Sequence, residues 1–188
     1  GFWQVDPTSP GNRWYQRSDG SHAYIVGNTH YTFLTEHGRQ GLPTGGNIAD
    51  DIAANAKYFK KLRFGLQSGQ YPHPSEKPWL DDSGQPTDDG NFCHRPNPAW
   101  FHRRVDLAVK CGLEHDLITD LILAGPDTPE SRTTLKAEHN GGDATPYLRY
   151  IAARYSSYPN VWICLCNEYD IKQPRYTQAE IADLGVSL

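Results

Sequence analysis

Short, unbroken apolar runs alternate along this chain with segments whose apolar residues recur every three to four positions. Few folds tolerate that order. Runs of strand character fall at 22–34, 64–71, 113–124 and 160–167. Between them, Ile48, Ile52, Ala56 and Phe59 recur at helical spacing, which predicts an amphipathic helix over 48–62 with Asn47 as its N-cap. Asn97-Pro98 supplies a cap followed by a first-turn proline, and Phe101, Val105 and Ala108 mark the buried face of a helix over 98–111, which Gly112 is expected to end. Thr145-Pro146 repeats the signal ahead of Leu148, Ile151 and Tyr155, and a last helix begins near Thr177. Continuous apolar strands separated by helices are the pattern of a parallel sheet covered by helices, so the fold class is α/β.

The closed form of that arrangement is the (β/α)8 barrel of the TIM type, which takes about 250 residues. The chain has 188 residues and four strand-helix units, so it is expected to hold about the first four β/α units of such a barrel, over 22–188, after an irregular lead-in at 1–21. The open doubly wound alternative would put a glycine-rich phosphate-binding turn after the first strand, and none is present.

Eighteen basic and twenty-two acidic side chains give a net charge of −4 with no block of one sign, which points away from nucleic acid and anionic membranes as partners. No apolar run approaches the roughly 20 residues of a membrane span. Cys93 and His94, with Cys164 and Cys166, are zinc-type ligand residues, but C-H beside C-x-C lacks the usual two-to-four residue ligand spacing. No metal and no organic cofactor is therefore expected. The absence of a G-x-S-x-G elbow also argues against a serine hydrolase. Aromatic residues make up 12% of the chain, and flat rings serve both core packing and stacking on sugars.

Chemistry is expected at the end of the fourth strand. Alternation puts Trp162, Cys164, Cys166 and Glu168 on one face, so Glu168 would stand at the strand's carboxyl end, where TIM barrels hold their catalytic groups; the alternative is a surface glutamate opening a loop. His30, Tyr31, Gln67, Tyr71 and His94 lie at strand ends or in the loops after them, placed either to contact a ligand's hydroxyl groups or to pack. The long segment 72–96 reads as a binding loop, with Trp79 as its stacking platform or as a local anchor.

The stretch YLRYIAARYSSYPNVWICLCNEYD at 147–170 resembles the clan A glycoside hydrolases, in which a helix ending Arg-Tyr and then Pro-Asn-Val leads into a strand finishing Asn-Glu. The segments RWYQRSDGSHAYIVGNTHYTFL and NPAWFHRRVDLAVKCGLEHDLI resemble the apiosidase-like group of glycoside hydrolases in particular, although Asn28 and His30 stand where an acidic and a small residue are common. The resemblance implies that Glu168 is the general acid/base and that Asn167 hydrogen-bonds the sugar 2-hydroxyl. It implies a retaining hydrolase of a polysaccharide or oligosaccharide, secreted or periplasmic, with its nucleophilic glutamate at the end of a seventh strand outside these residues. The remaining barrel half, as a further segment or chain, is then an expected partner besides the carbohydrate substrate. By composition alone Asp120, Asp127 and Asp170 are possible second carboxylates. A non-catalytic carbohydrate-binding or assembly module derived from such a barrel is the alternative function.

Overall fold

The computed structural model describes residues 1–36, 47–66, 77–87, 95–125, 133–136, 143–171, 173 and 175–188. Strands β3 (Gly27–Thr29), β4 (Lys61–Gly65), β7 (Ile118–Ala124) and β8 (Val161–Cys166) form one sheet in that spatial order, every pair parallel. Two short antiparallel pairs accompany it: β1 (Trp3–Val5) with β2 (Tyr15–Arg17) ahead of the sheet in sequence, and β5 (Trp79–Leu80) with β6 (Pro86–Thr87) between β4 and β7. The helices are α1 (Phe33–Glu36), α2 (Ile48–Ala56), α3 (Pro98–Trp100), which runs through a π turn at Phe101–Asp106 into α4 (Leu107–Glu114), α5 (Thr145–Tyr155) and α6 (Gln178–Ser187). None among the described residues is long and apolar enough to cross a membrane.

The sheet's two faces differ in kind. Leu62 and Phe64 of β4, Leu121 and Leu123 of β7, and Val161, Ile163 and Leu165 of β8 belong to the core packed under the helices. Lys61, Arg63, Asp120, Ile122, Trp162 and Cys164 alternate with them and occupy the other face. In a closed barrel that second face is the interior.

Several element bounds differ from the sequence expectation. The run 22–34 forms a strand only at Gly27–Thr29, with Tyr24 and Val26 exposed ahead of it, and the chain turns helical at Phe33. Helix α2 stops at Ala56 and β4 starts at Lys61, earlier than expected. The K-L-R-F-G run is a strand whose charged residues face the interior side, so its alternation does not read as a buried parallel strand. Gly112 lies within α4 instead of ending it. A Cβ there would meet Thr119 Cγ2 at 2.9 Å, Asn160 Nδ2 at 3.1 Å and Leu117 O at 3.1 Å, so glycine is needed for close helix-to-sheet approach. The chain leaves α4 at Asp116, whose φ is +55°. Asn97 caps α3 as expected, its side chain accepting from Ala99 N. At α5, by contrast, Asp143 Oδ1 accepts from Thr145 N at 2.7 Å, a role expected of Thr145 itself.

Candidate active site at the carboxyl end of the sheet

Parallel strands bring all their carboxyl ends to one edge of the sheet, so the residues just beyond β3 and β8 share a rim. At β3 these are His30 and Tyr31, both half-buried. His30 N donates to Arg63 O at 2.9 Å, Gly65 N donates to Tyr31 O at 3.0 Å, and the His30 ring meets Phe33 edge-on at 5.8 Å. At β8 they are Asn167, which is 3% exposed, and Glu168, which is exposed. Asn167 N donates to Ala124 O at 3.3 Å, extending the pairing of β8 with β7 by one residue.

Glu168 is no longer part of the strand. It adopts φ +49°, a left-handed conformation uncommon for a residue with a Cβ, and its carbonyl accepts from Ile171 N at 3.2 Å. Strand alternation thus holds through Cys166, and the turn, not the alternation, sets the direction of Glu168. The turn is anchored by Tyr176 N donating to Tyr169 O at 2.9 Å and by the Tyr176 hydroxyl accepting from Leu135 N at 3.3 Å.

Trp79 is not a stacking platform. It is fully buried, with Tyr147 of α5 edge-on at 4.8 Å and Phe101 of the π turn at 6.1 Å, so β5 carries it into the core instead of presenting it on a loop. Gln67, Tyr71 and His94 lie outside the described residues, as do Cys93 and Asp127.

Asp120 is removed from the possible second carboxylates. In register it stands beside Trp162, six residues before Glu168, which at about 3.3 Å per residue is roughly 20 Å along the strand, far beyond the 5 to 5.5 Å of a retaining pair. It is instead the anion of an interior cluster: Lys61 Nζ lies 3.0 Å and Arg63 Nε 3.6 Å from its Oδ2, and Asp120 is 6% exposed.

Arg63 went unnoticed in the sequence because it falls at the presumed boundary between a helix and a strand. Its Nη2 donates to Cys164 Sγ at 2.9 Å. Burial disfavours its charge, but Cys164 and Asp120 outweigh that and hold its pKa above the ordinary value. The only available signal was the two-residue period of K-L-R-F-G.

At the foot of the same face, Trp162 meets Trp3 edge-on at 6.3 Å and Tyr15 at 5.2 Å, with Lys61 Nζ 5.4 Å from its ring centre. Arg17 bonds Asp116 in the turn before β7, so the β1–β2 hairpin sits across the amino ends of β7 and β8.

A four-stranded parallel sheet with helices on one face and a charged and aromatic interior on the other is about half of a (β/α)8 barrel. Comparison with solved structures finds the same fold in two glycoside hydrolases. The endo-1,4-beta-mannanase of Rhizomucor miehei superposes over 100% of this chain and 57% of its own, with a TM-score of 0.63 and 14% identity. A structure described as a glycoside hydrolase superposes over 86% of this chain and 47% of its own, with a TM-score of 0.54 and 14% identity. The likeness is one of fold, and the chain spans about half the length of these glycoside hydrolases. No protein-family model and no curated protein sequence matches the chain.

Proposed function

We propose that the chain is the N-terminal half of a retaining clan A glycoside hydrolase of the apiosidase-like kind, acting on a polysaccharide or oligosaccharide, with Glu168 as the general acid/base. The observation that carries this reading is the Asn167-Glu168 pair, directly beyond the fourth parallel strand of a barrel half that superposes on two glycoside hydrolases. The rim His30 and Tyr31 are proposed sugar contacts at the end of the first barrel strand.

In this reading the Glu168 carboxylic acid gives its proton to the glycosidic oxygen as the bond to the anomeric carbon breaks. A carboxylate from the companion barrel half, as a further segment or chain, attacks that carbon. Glu168, now ionised, then takes a proton from the water that releases the sugar. Secretion or periplasmic export agrees with a polymeric substrate.

The pH profile of kcat/KM for the intact barrel tests the role. A general acid must start protonated, so activity falls as pH rises through its pKa, and Glu168→Gln is expected to abolish that basic limb on a substrate with a good leaving group. A variant that keeps the wild-type basic limb overturns the assignment.

A further inference from the structure

The interior face of the sheet carries more positive charge than it balances. Lys61 and Arg63 stand on β4, and Asp120 on β7 is, among the described residues, the only carboxylate within ion-pair distance of either. Its Oδ2 takes the Lys61 ammonium at 3.0 Å, while Arg63 Nε, 3.6 Å away, is buried and makes no hydrogen bond. The neighbouring strands add no second carboxylate. In register, β3 brings Gly27 and Thr29 beside the two cations, β7 adds Ile122, and β8 adds Trp162 and Cys164. The Cys164 thiol accepts one bond from Arg63 Nη2, and the Tyr31 phenol lies near enough to act on the guanidinium.

Solvent carries the unbalanced charge. The Lys61 and Arg63 side chains keep 25% and 26% of their surface exposed, against 9% for Asp120. On the same face Trp3, Tyr15, Asp120, Trp162 and Cys164 line an open cavity of about 500 Å³. In the two glycoside hydrolases that superpose on this chain, about half of the protein lies beyond the matched part, and closing a (β/α)8 barrel turns this face inward. Covering the face strips water from the unbalanced cation, which is unfavourable unless an anion meets it.

We propose that the companion half of the barrel supplies that anion, an aspartate or glutamate at an inward-facing position, paired with the Arg63 guanidinium beside Asp120. The proposal rests on the half-barrel part of the functional reading and not on the role of Glu168. This acid is distinct from the nucleophile. Arg63 reaches Cys164, four residues before Glu168, which at about 3.3 Å per residue is roughly 13 Å along the chain, whereas a retaining nucleophile stands about 5 to 5.5 Å from its acid/base. Two cations against two carboxylates make a charge-matched interior layer, which favours the correct half over a neutral or basic surface.

Urea unfolding of the intact barrel, without substrate, tests the pairing. Arg63→Met strands the companion carboxylate and is expected to raise the unfolding equilibrium constant about 10²-fold or more at neutral pH. Neutralising that one carboxylate, aspartate to asparagine or glutamate to glutamine, is expected to destabilise the wild type but to restore most of the loss in the Arg63→Met background. Were Asp120 the sole anion, Arg63→Met would leave it in a one-to-one pair with Lys61, and no acid substitution in the companion half would rescue the variant. Should Arg63→Met fail to fold, a crystal structure of the intact barrel decides, with a companion carboxylate oxygen expected within about 3.2 Å of the guanidinium. A neutral or apolar residue there, a variant as stable as the wild type, or one that no single companion acid rescues overturns the proposal. Neither readout involves hydrolysis, so a failure of the Glu168 assignment leaves the pairing standing, and a failure of the pairing leaves Glu168 as it was.

Discussion

The Arg154 guanidinium grips the Asp106 carboxylate with two hydrogen bonds, Nε to Oδ1 at 2.8 Å and Nη2 to Oδ2 at 2.7 Å, joining α5 to the π turn ahead of α4. The Tyr155 hydroxyl donates a third bond to Oδ1 at 2.9 Å, and Arg154 Nη1 donates to the Tyr150 hydroxyl at 3.0 Å. Burial alone would raise the Asp106 carboxyl, but these donors hold it below its ordinary value. Burial raises the Tyr155 hydroxyl, which therefore stays a donor at neutral pH.

A carboxyl whose pKa is lower in the folded than in the unfolded state adds stability above its unfolded value and loses it as pH falls through the folded one. The wild type is therefore expected to lose this contribution below about pH 4, near the unfolded aspartate value. Asp106→Asn is expected to flatten that acid slope and to cost about 2 kcal/mol at neutral pH, less than a fully buried pair because both side chains keep some exposure. Urea unfolding across a pH series measures both, and an unchanged slope would count against the clasp.

The Lys136 ammonium, 2.7 Å from Glu180 Oε1, is the main cause holding the Glu180 carboxyl down at about 2, with further bonds from the Thr177 capping box. Nuclear magnetic resonance titration of Glu180 is expected to find that low midpoint, and Lys136→Met should move it toward about 4.3. Glu180 is 43% exposed, so solvent screening keeps the stability effect of Glu180→Gln under about 1 kcal/mol, seen only above the folded midpoint.

Gly112 and Asn160 form a single packing joint. Asn160 Nδ2 donates to Val109 O at 3.0 Å and Leu117 O at 3.3 Å, just where Gly112 leaves room for it. Glycine to alanine inside a helix ordinarily stabilises by up to about 1 kcal/mol. Here Gly112→Ala is expected to destabilise by about 2 kcal/mol, because its Cβ would press on Thr119 and Asn160. Thermal unfolding gives the sign directly, and a higher melting temperature would contradict the joint.

Trp79→Ala is expected to cost about 3 to 5 kcal/mol of stability, as for other large core aromatics. Where Trp79→Phe keeps the fold, affinity for oligosaccharides is expected to be unchanged, since the ring is buried away from solvent. A loss of sugar affinity without a loss of stability would restore Trp79 as a stacking platform.

The sequence made the α/β order, the four parallel strands and the buried faces of α2 and α5 legible, because each rests on local periodicity. Three features escaped it for physical reasons. Arg63 and Lys61 are charges on the interior face of a strand, tolerated only because Asp120 and Cys164 meet them across the sheet, and no one-dimensional pattern reports such neighbours. Gly112 looked like a helix stop because the close approach of Thr119 and Asn160 is a tertiary fact. Trp79 sits in a run rich in proline and aspartate that reads as surface, yet Tyr147 and Phe101 supply a core contact outweighing its flanks. Asn167 and Glu168 were found by motif at the sheet's carboxyl end, but the left-handed turn at Glu168 has no sequence signal such as glycine.

Hydrolysis of aryl glycosides that differ only in leaving-group acidity tests the central claim most directly, comparing the intact barrel with its Glu168→Ala variant. A proton donor matters most when the departing oxygen is basic. The variant is therefore expected to lose about 10²- to 10⁴-fold in kcat/KM on poor leaving groups and far less on the most acidic phenols. A uniform loss across the series, or none, would contradict Glu168 as the general acid.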